Sequence, residues 1–335
     1  MHKIDLSKYE VRTDMIVDLL DEETSKLSNE TLEDGVKISW MKLDKDNPFN
    51  KKSGNYLTIL FDDVTDSDAR NLVSNIFKRE FKKMLQKIGY QKDYKTLVIG
   101  LGNEKSTPDA LGPLVTSKLI VTNHFFDMNI NVDDKLSKLA AIAPGVTGQT
   151  GIETSDYVKG VVGVLKPDLV ILVDALCSSS IENVNKSIQV TDNGISPGSG
   201  IGNKRKEISK ETLNTKVISV GIPTVIDAST IVSDTINYMV KNYAYNKSHI
   251  NEKSNKFIKG PVNYLNKETK ITPADRKNFL GLVGALSDNE IKKLLYEVLT
   301  PIGYNLMVTP KEVDFILSKL SDVISYGINH SIHNI

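Results

Sequence analysis

The amino-acid sequence predicts an α/β protein whose mostly parallel sheet is covered by helices on both faces. Three short runs, residues 97–99, 139–143 and 169–173, are apolar throughout and lack the alternation of a strand with one solvated face. Such runs are typical of strands buried on both faces of a parallel sheet. Helical patterns follow these runs along the chain, and strands that alternate with helices indicate a sheet covered on both sides.

The flanking segments predict further elements of the same fold. Apolar residues recur at helical spacing from residue 66 to residue 88, until Gly89 ends the pattern. From about residue 229 the chain is mainly helical, with two capping boxes that begin at Ser287 and Thr309. Four more segments have the composition of strands: residues 36–43, 56–61, 187–191 and 217–220.

Charge and cysteine content limit the class of protein. The 335 residues include 42 Lys and Arg and 42 Asp and Glu, so no overall field attracts nucleic acid or a membrane surface. The single cysteine, Cys177, excludes an internal disulfide and fits a reducing compartment. Neither a secretory signal nor an apolar run of about 20 residues is visible, so we expect a soluble, intracellular protein.

Residues 96–113 combine a buried strand, a glycine turn and the start of a helix. Gly100 and Gly102 allow a sharp turn, and the Thr-Pro pair at 107–108 provides an N-cap and a first helical residue. Asp109 then lies in the first helical turn at the carboxyl end of a strand, where open α/β sheets place their active sites. An aspartate there also complements the helix dipole, so its position alone does not decide its role.

Acidic residues follow other predicted strands as well. Asp174 comes directly after residues 169–173, and Asp227 lies beyond the last predicted strand. Side chains at the carboxyl edge of neighbouring parallel strands meet in one crevice, where two carboxylates can share a proton and activate water. The alternative is that each aspartate caps the helix that follows it.

Cofactor and metal sites are not predicted. The turn at 100–102 lacks the third glycine of a dinucleotide fingerprint, and residues 198–205 lack the ending of a phosphate-binding loop. His330 and His333 have no third ligand beside them, so we expect no bound metal. No histidine lies in a glycine loop to serve as a base for Cys177, which is more typical of an inert buried thiol.

Motifs along nearly the whole chain resemble the spore germination protease family. They occur in that family's order at residues 9–14, 107–113, 143–154, 173–176, 194–207, 221–228 and 304–312. The resemblance implies an endopeptidase that begins the degradation of small acid-soluble spore proteins during germination, in the cytoplasm of the spore core. It also implies a fold similar to that of hydrogenase maturation proteases, a homotetramer, and a zymogen that loses a short N-terminal propeptide.

The resemblance also implies roles for individual residues. The family's two essential aspartates correspond to Asp109 and Asp174, which changes our interpretation of both from capping to catalysis. The propeptide junction corresponds to the Asp14–Met15 bond. Residues 1–14 are then the propeptide, and residues 15–335 are a single α/β protease domain with the helical region at its C-terminal end.

Three alternatives stay open at this stage. Lys204 and Arg205 follow a glycine-rich loop that can bring them to an acidic residue of a substrate, but a solvated charged turn explains them equally well. A metal-dependent protease related to the hydrogenase maturation endopeptidases needs a histidine near the loops. A spore-protein-binding module without catalysis is the remaining alternative, and the presence of both aspartates argues against it.

Overall fold

The computed structural model describes residues 13–21, 23–128, 132–196, 206–249, 269–299 and 306–335. Contacts divide the chain into two compact units. The larger one comprises residues 12–225 and 309–335, and the smaller one comprises residues 1–11 and 226–308. No helix in the described ranges combines the length and apolar character needed to span a membrane.

The secondary structure alternates between strands and helices. The strands are β1 (Ser28–Glu33), β2 (Val36–Leu43), β3 (Gly54–Leu60), β4 (Thr96–Gly100), β5 (Leu139–Ile142), β6 (Leu169–Ser178), β7 (Ser187–Thr191), β8 (Lys216–Asp227) and β9 (Met307–Val308). The helices are α1 (Ser67–Lys87), α2 (Leu111–Thr116), α3 (Asn123–Asp127), α4 (Thr147–Thr150), α5 (Thr154–Leu165), α6 (Lys210–Leu213), α7 (Ala228–His249), α8 (Pro273–Leu280), α9 (Asp288–Leu299) and α10 (Val313–Ile332). The predicted helical C-terminal part is therefore present.

The sheet is mixed, whereas the sequence predicted a mostly parallel one. Its strand order is β1-β2-β3-β7-β8-β6-β4-β5, and β9 pairs with β8. Strand β4 runs parallel to both β5 and β6. The pairs β1–β2, β2–β3, β3–β7, β7–β8 and β8–β9 are antiparallel. The predicted α/β class is confirmed, and the strands that carry the three apolar runs, β4, β5 and β6, pair in parallel.

A tight hairpin explains part of this difference. Asp34 and Gly35 join β1 to β2 with φ angles of 46° and 85°, which suit a two-residue turn between antiparallel strands. Strand β1 is mostly exposed and has the polar sequence Ser-Asn-Glu-Thr-Leu-Glu. Since it contributes little to a core, its composition gave no strand signal.

The two faces of the sheet belong to separate hydrophobic clusters. Val98 and Ile171 pack into the cluster that includes residues of α1, α2 and α10. Their neighbours Leu97 and Val170 point the other way and pack with Val158 of α5. Because successive residues of a strand face opposite sides, this division confirms that helices cover both faces of the parallel part.

The smaller unit is built mainly from α7, α8 and α9. Lys247 of α7 forms an ion pair of 2.8 Å with Asp275 of α8. Asp275 also accepts hydrogen bonds from Thr272, the N-cap of α8. The Lys247 and Thr272 contacts lower the pKa of Asp275 to about 2.

A buried carboxylate links helix α1 to the β1–β2 hairpin. The side chain of Glu80 is 1% exposed and accepts hydrogen bonds from Trp40 Nε1 (2.9 Å), Arg79 Nε (2.8 Å) and Lys83 Nζ (2.9 Å). Arg79 also holds Glu33 at the end of β1. Burial alone would raise the pKa of Glu80, but the hydrogen bonds from Lys83, Trp40 and Arg79 outweigh burial and lower it.

Replacing this carboxylate should destabilise the fold in a pH-dependent way. We expect Glu80→Gln to lower the free energy of unfolding by about 1–3 kcal/mol at neutral pH, because the ionised acceptor of three donors is lost. The folded-state pKa lies below the unfolded value of about 4.3, so this stability is present above that value and is lost as pH falls through the folded pKa. Urea unfolding at pH 7 and pH 3 measures both effects, with the exposed Glu182→Gln as control. An equal loss at both pH values would contradict the assignment.

Candidate active site

Two glycines allow strand β4 and helix α2 to meet at the backbone. A Cβ atom on Gly100, the last residue of β4, would overlap the carbonyl oxygen of Gly112 in α2. A Cβ on Gly112 would in turn overlap the carbonyl oxygen of Leu101. Only glycine fits at either position, so the chain after β4 folds back directly against the helix that follows it.

The turn that carries Asp109 lies over the end of β4. Residues Thr107–Asp109 form a short 3-10 helix with Asp109 in its first turn, as predicted, but this turn is separate from α2, which begins at Leu111. The Asn103 N–H donates to the carbonyl of Asp109 at 3.0 Å. Gly102 has a φ of +113°, and a Cβ built there would lie 3.2 Å from Asp109 Oδ1. The half-buried Asp109 carboxylate therefore lies against the Cα of Gly102.

A buried threonine of β8 fastens this turn to the sheet. Thr224 Oγ1 donates a hydrogen bond of 2.7 Å to the carbonyl of Pro108, the residue before Asp109. The carbonyl of Thr224 accepts a bond of 2.8 Å from Thr309 Oγ1. The turn is thus held by Asn103 of the loop after β4 on one side and by Thr224 of β8 on the other.

Asp174 lies inside β6, which continues to Ser178, and not after the strand end as the sequence predicted. The residue is 6% exposed, and its Oδ1 accepts a hydrogen bond of 2.9 Å from the Ala175 N–H. Its neighbour Val173 pairs with Gly100, and the Leu101 N–H donates to the Val173 carbonyl at 2.7 Å. Asp174 is therefore the next residue after Val173, which pairs with Gly100 at the end of β4. Both predicted aspartates lie at the same end of the β4–β6 pair.

The chain segment at residues 13–18 is docked beside the later part of β6. The Asp14 N–H donates to the Cys177 carbonyl at 3.0 Å, and the Cys177 N–H donates to Asp14 Oδ2 at 2.9 Å. From β7, Gln189 Nε2 donates to the Asp14 carbonyl at 3.0 Å. Met15 and Ile16 are buried. The predicted processing bond therefore lies in a segment whose backbone is hydrogen-bonded to two strands.

Asp18 anchors the downstream end of this segment. Its Oδ2 accepts hydrogen bonds from Ser178 Oγ (2.8 Å), the Ser179 N–H (2.6 Å) and Thr13 Oγ1 (2.5 Å), and its Oδ1 accepts one from Asn183 Nδ2 (2.6 Å). The sequence offered no indication of this role, because three of these four partners, Ser178, Ser179 and Asn183, lie 160, 161 and 165 positions away.

Lys51 approaches the same segment from the loop before β3. Its Nζ donates a hydrogen bond of 2.8 Å to the Thr13 carbonyl. Burial lowers the pKa of Lys51, while the negative charges of Asp14 and Asp18 partly offset that effect. A cavity of about 230 Å³ adjoins this lysine and is also lined by Asp14 and Gln189. Neither Lys51, which precedes the predicted strand 56–61, nor Gln189, in the predicted strand 187–191, is marked by a motif in the sequence.

The remaining predicted residues have different outcomes. Lys204 and Arg205 lie outside the described residues. Asp227 accepts hydrogen bonds from the Ser229 N–H (2.8 Å) and Ser229 Oγ (2.6 Å) at the start of α7, as the capping alternative predicted. His333 is buried, with Nδ1 facing the Ser137 N–H. Among the described residues, no three His, Cys, Asp or Glu side chains cluster as a metal site.

Comparison with known proteins places the chain in a family. The family model of the germination proteases matches residues 11–335. A germination protease from Bacillus licheniformis is 43% identical over 99% of this chain and 95% of that protein. Another from Bacillus cereus is 42% identical over 99% of this chain and 96% of that protein. A NiFe hydrogenase maturation protease from Thermococcus kodakarensis aligns over 39% of this chain and 74% of its own, with 18% identity and a TM-score of 0.25, a likeness too low to bear on the fold. The chain belongs to the germination protease family.

Proposed function

We propose that this germination protease is an endopeptidase that begins the degradation of small acid-soluble spore proteins, using Asp109 and Asp174 to activate water. Membership of the family supports a peptide hydrolase that acts in germination. The observation that carries the catalytic assignment is the position of both aspartates at the same end of the β4–β6 pair. Carboxyl ends of parallel strands are where open α/β sheets bind and transform their ligands.

The two carboxyl groups have complementary tasks in this reaction. Two nearby carboxylates do not both ionise at low free-energy cost, so one retains a proton while the other is charged. The charged group takes a proton from water, whose oxygen bonds to the peptide carbon. The protonated group gives its proton to the leaving nitrogen as the C–N bond breaks. The products are a carboxylic acid and an amine, and the pair exchanges its roles once per turnover.

Removing either carboxylate should abolish cleavage. Asn has nearly the shape of Asp but cannot exchange the proton, so we expect Asp109→Asn and Asp174→Asn each to reduce the rate at least about a thousandfold. Because the two act as a unit, the double variant should be little worse than either single one. The measurement is the cleavage rate of a purified small acid-soluble spore protein, with folding checked by circular dichroism.

Asp227→Asn is the matched control for both variants. Its carboxylate caps α7 through Ser229, and Asn is an equally good capping residue, so activity should stay substantial. A folded Asp109→Asn or Asp174→Asn protein with near wild-type activity would refute the carboxylate pair.

We further propose that the protein is a zymogen in which residues 1–14 are a propeptide and residues 15–335 the protease domain. Two features of the structure support a cut at the Asp14–Met15 bond. The backbone on both sides of it is held by hydrogen bonds to Cys177 and Gln189, as a protease holds the backbone of a bound peptide. The segment is also hydrogen-bonded to β6, the strand that carries Asp174, which favours a cut made by the chain's own site.

N-terminal sequencing after conversion tests this junction directly. We expect the mature chain to begin at Met15, and the Asp109→Asn precursor to stay uncut, because the proposed site makes the cut itself. A mature form that begins beyond Val17 would contradict the junction. Conversion of the purified Asp109→Asn precursor at the wild-type rate would contradict the role of the carboxylate pair in this cut.

The proposed reaction uses no metal. Stable zinc sites usually draw on histidine and cysteine, and the loops around both aspartates contain no histidine. We expect the rate of substrate cleavage to stay within about twofold of its initial value after exhaustive chelation, since no protein ligand set is lost. Activity that disappears with the chelator and returns with added metal would instead favour a metal-dependent maturation-type protease.

The partners of the protein follow from the same proposal. The substrates are small acid-soluble spore proteins in the spore core, and the chain assembles as a homotetramer. Lys204 and Arg205 are proposed to contact acidic residues of the substrate, for which guanidinium and ammonium groups are suited donors.

A further inference from the structure

We propose that Gln189 grips the peptide on both sides of the cleaved bond and stabilises the oxyanion that forms at its carbonyl. The inference rests on the proposed function, specifically on the cut between Asp14 and Met15. It adds a third participant, on a different strand from either aspartate, which contacts the reacting group itself.

The side-chain amide of Gln189 contacts the segment at two backbone atoms. Its Nε2 donates to the Asp14 carbonyl at 3.0 Å, and its Oε1 accepts from the Ile16 N–H at 2.7 Å. These partners fix the orientation of the amide. The Ile16 N–H must face the amide oxygen, and the Asp14 carbonyl must face the amide NH₂ group. The donor therefore points at the carbonyl of the proposed cleaved bond.

The surroundings of Gln189 hold it rigidly. It lies in the middle of β7, where Thr58 of β3 and Gly221 of β8 are its register partners on either side. The side chain of Gln189 is buried, and so are Met15 and Ile16 of the segment that it contacts. A buried donor on a sheet strand keeps its geometry and is worth more than the same donor in bulk solvent.

Two other contacts keep the carbonyl in place. Lys51 Nζ holds the Thr13 carbonyl on one side, and Asp18 is anchored to Ser178 and Ser179 on the other. The peptide is thus fixed upstream and downstream of the bond, which leaves Gln189 to act at the bond itself.

The chemistry at the Asp14 carbonyl requires such a donor. When the water oxygen bonds to the carbonyl carbon, the π electron pair moves to the carbonyl oxygen and the water proton goes to the charged carboxylate. The oxygen now carries a negative charge, which the Nε2–H of Gln189 stabilises. Collapse restores the C=O bond, the C–N bond to Met15 breaks, and the nitrogen takes the proton of the second carboxyl group. Donors placed at 2.7–3.1 Å from such an oxygen are worth about a hundredfold to a thousandfold in rate.

The isosteric variant Gln189→Glu separates this role from simple anchoring. Its carboxylate still accepts from the Ile16 N–H but cannot donate to the Asp14 carbonyl until it is protonated. At pH 7 we expect the rate of self-conversion of the full-length precursor, followed by intact mass, to fall about a hundredfold relative to wild type. At pH 4 the ratio to wild type should recover at least about tenfold, since a protonated carboxyl group donates again.

Two further variants complete the test. Gln189→Met, which has no donor at any pH, should be about a hundredfold slower at both pH values. Gln86→Glu, the same change on the exposed face of α1, should convert at the wild-type rate. Hydrogen exchange of residues 13–18 reports docking, and protection equal to wild type is expected in Gln189→Glu.

The outcomes distinguish this inference from the function on which it rests. Conversion of Gln189→Glu within about threefold of wild type at pH 7 would overturn the oxyanion role. An equal loss at both pH values, with the segment no longer protected, would also overturn it and leave Gln189 as an anchor. If the Asp109→Asn precursor converts at the wild-type rate, the carboxylate-pair hypothesis is refuted, independently of the result for Gln189.

Discussion

The close contact between the backbones of β4 and α2 is the constraint on which the site depends. Gly100 and Gly112 each occupy a position where a single methyl group would overlap the other segment. With that contact, the chain between them must fold back over Gly102 and bring Asp109 to the end of the strand. The glycines of this loop thus serve a contact between the two backbones.

The parallel part of the fold, and the end of the β4–β6 pair that carries both aspartates, could be predicted because their signals are local. A strand buried on both faces needs apolar residues in succession, as residues 97–99 and 169–173 have, and an acidic residue after such a run marks its end. The local placement of Asp174 could not be predicted, because β6 continues beyond its apolar run to Ser178. The antiparallel part was less predictable. Strand β1 is largely exposed, so nothing in its composition required a strand, and only the Asp34-Gly35 turn carried a hairpin signal.

The docked N-terminal segment could not be predicted from its own sequence. Asp14, Ile16 and Asp18 mix acidic and apolar character without a period, which is compatible with a loose arm, a strand or a helix. Their conformation is set by Cys177, Gln189 and Asn183, all more than 160 positions later in the chain. Lys51 and Gln189 were overlooked for the same reason: a lysine in a loop and a glutamine in a strand become informative only once their partners are known.

The anchoring of Asp18 has a consequence for the proposed cut at the Asp14–Met15 bond. In the intact chain, Thr13 and Asp14 share a polypeptide with the residues that hold them, Lys51, Cys177 and Gln189, and meet them at an effective concentration that is about millimolar for short flexible links. An incoming protein would compete with that local excess. After the proposed cut, Asp18 would keep the downstream side attached, and the upstream peptide would diffuse into bulk solution. Its competition would then fall with dilution, so the cut would convert a tethered occupant into a dilute one.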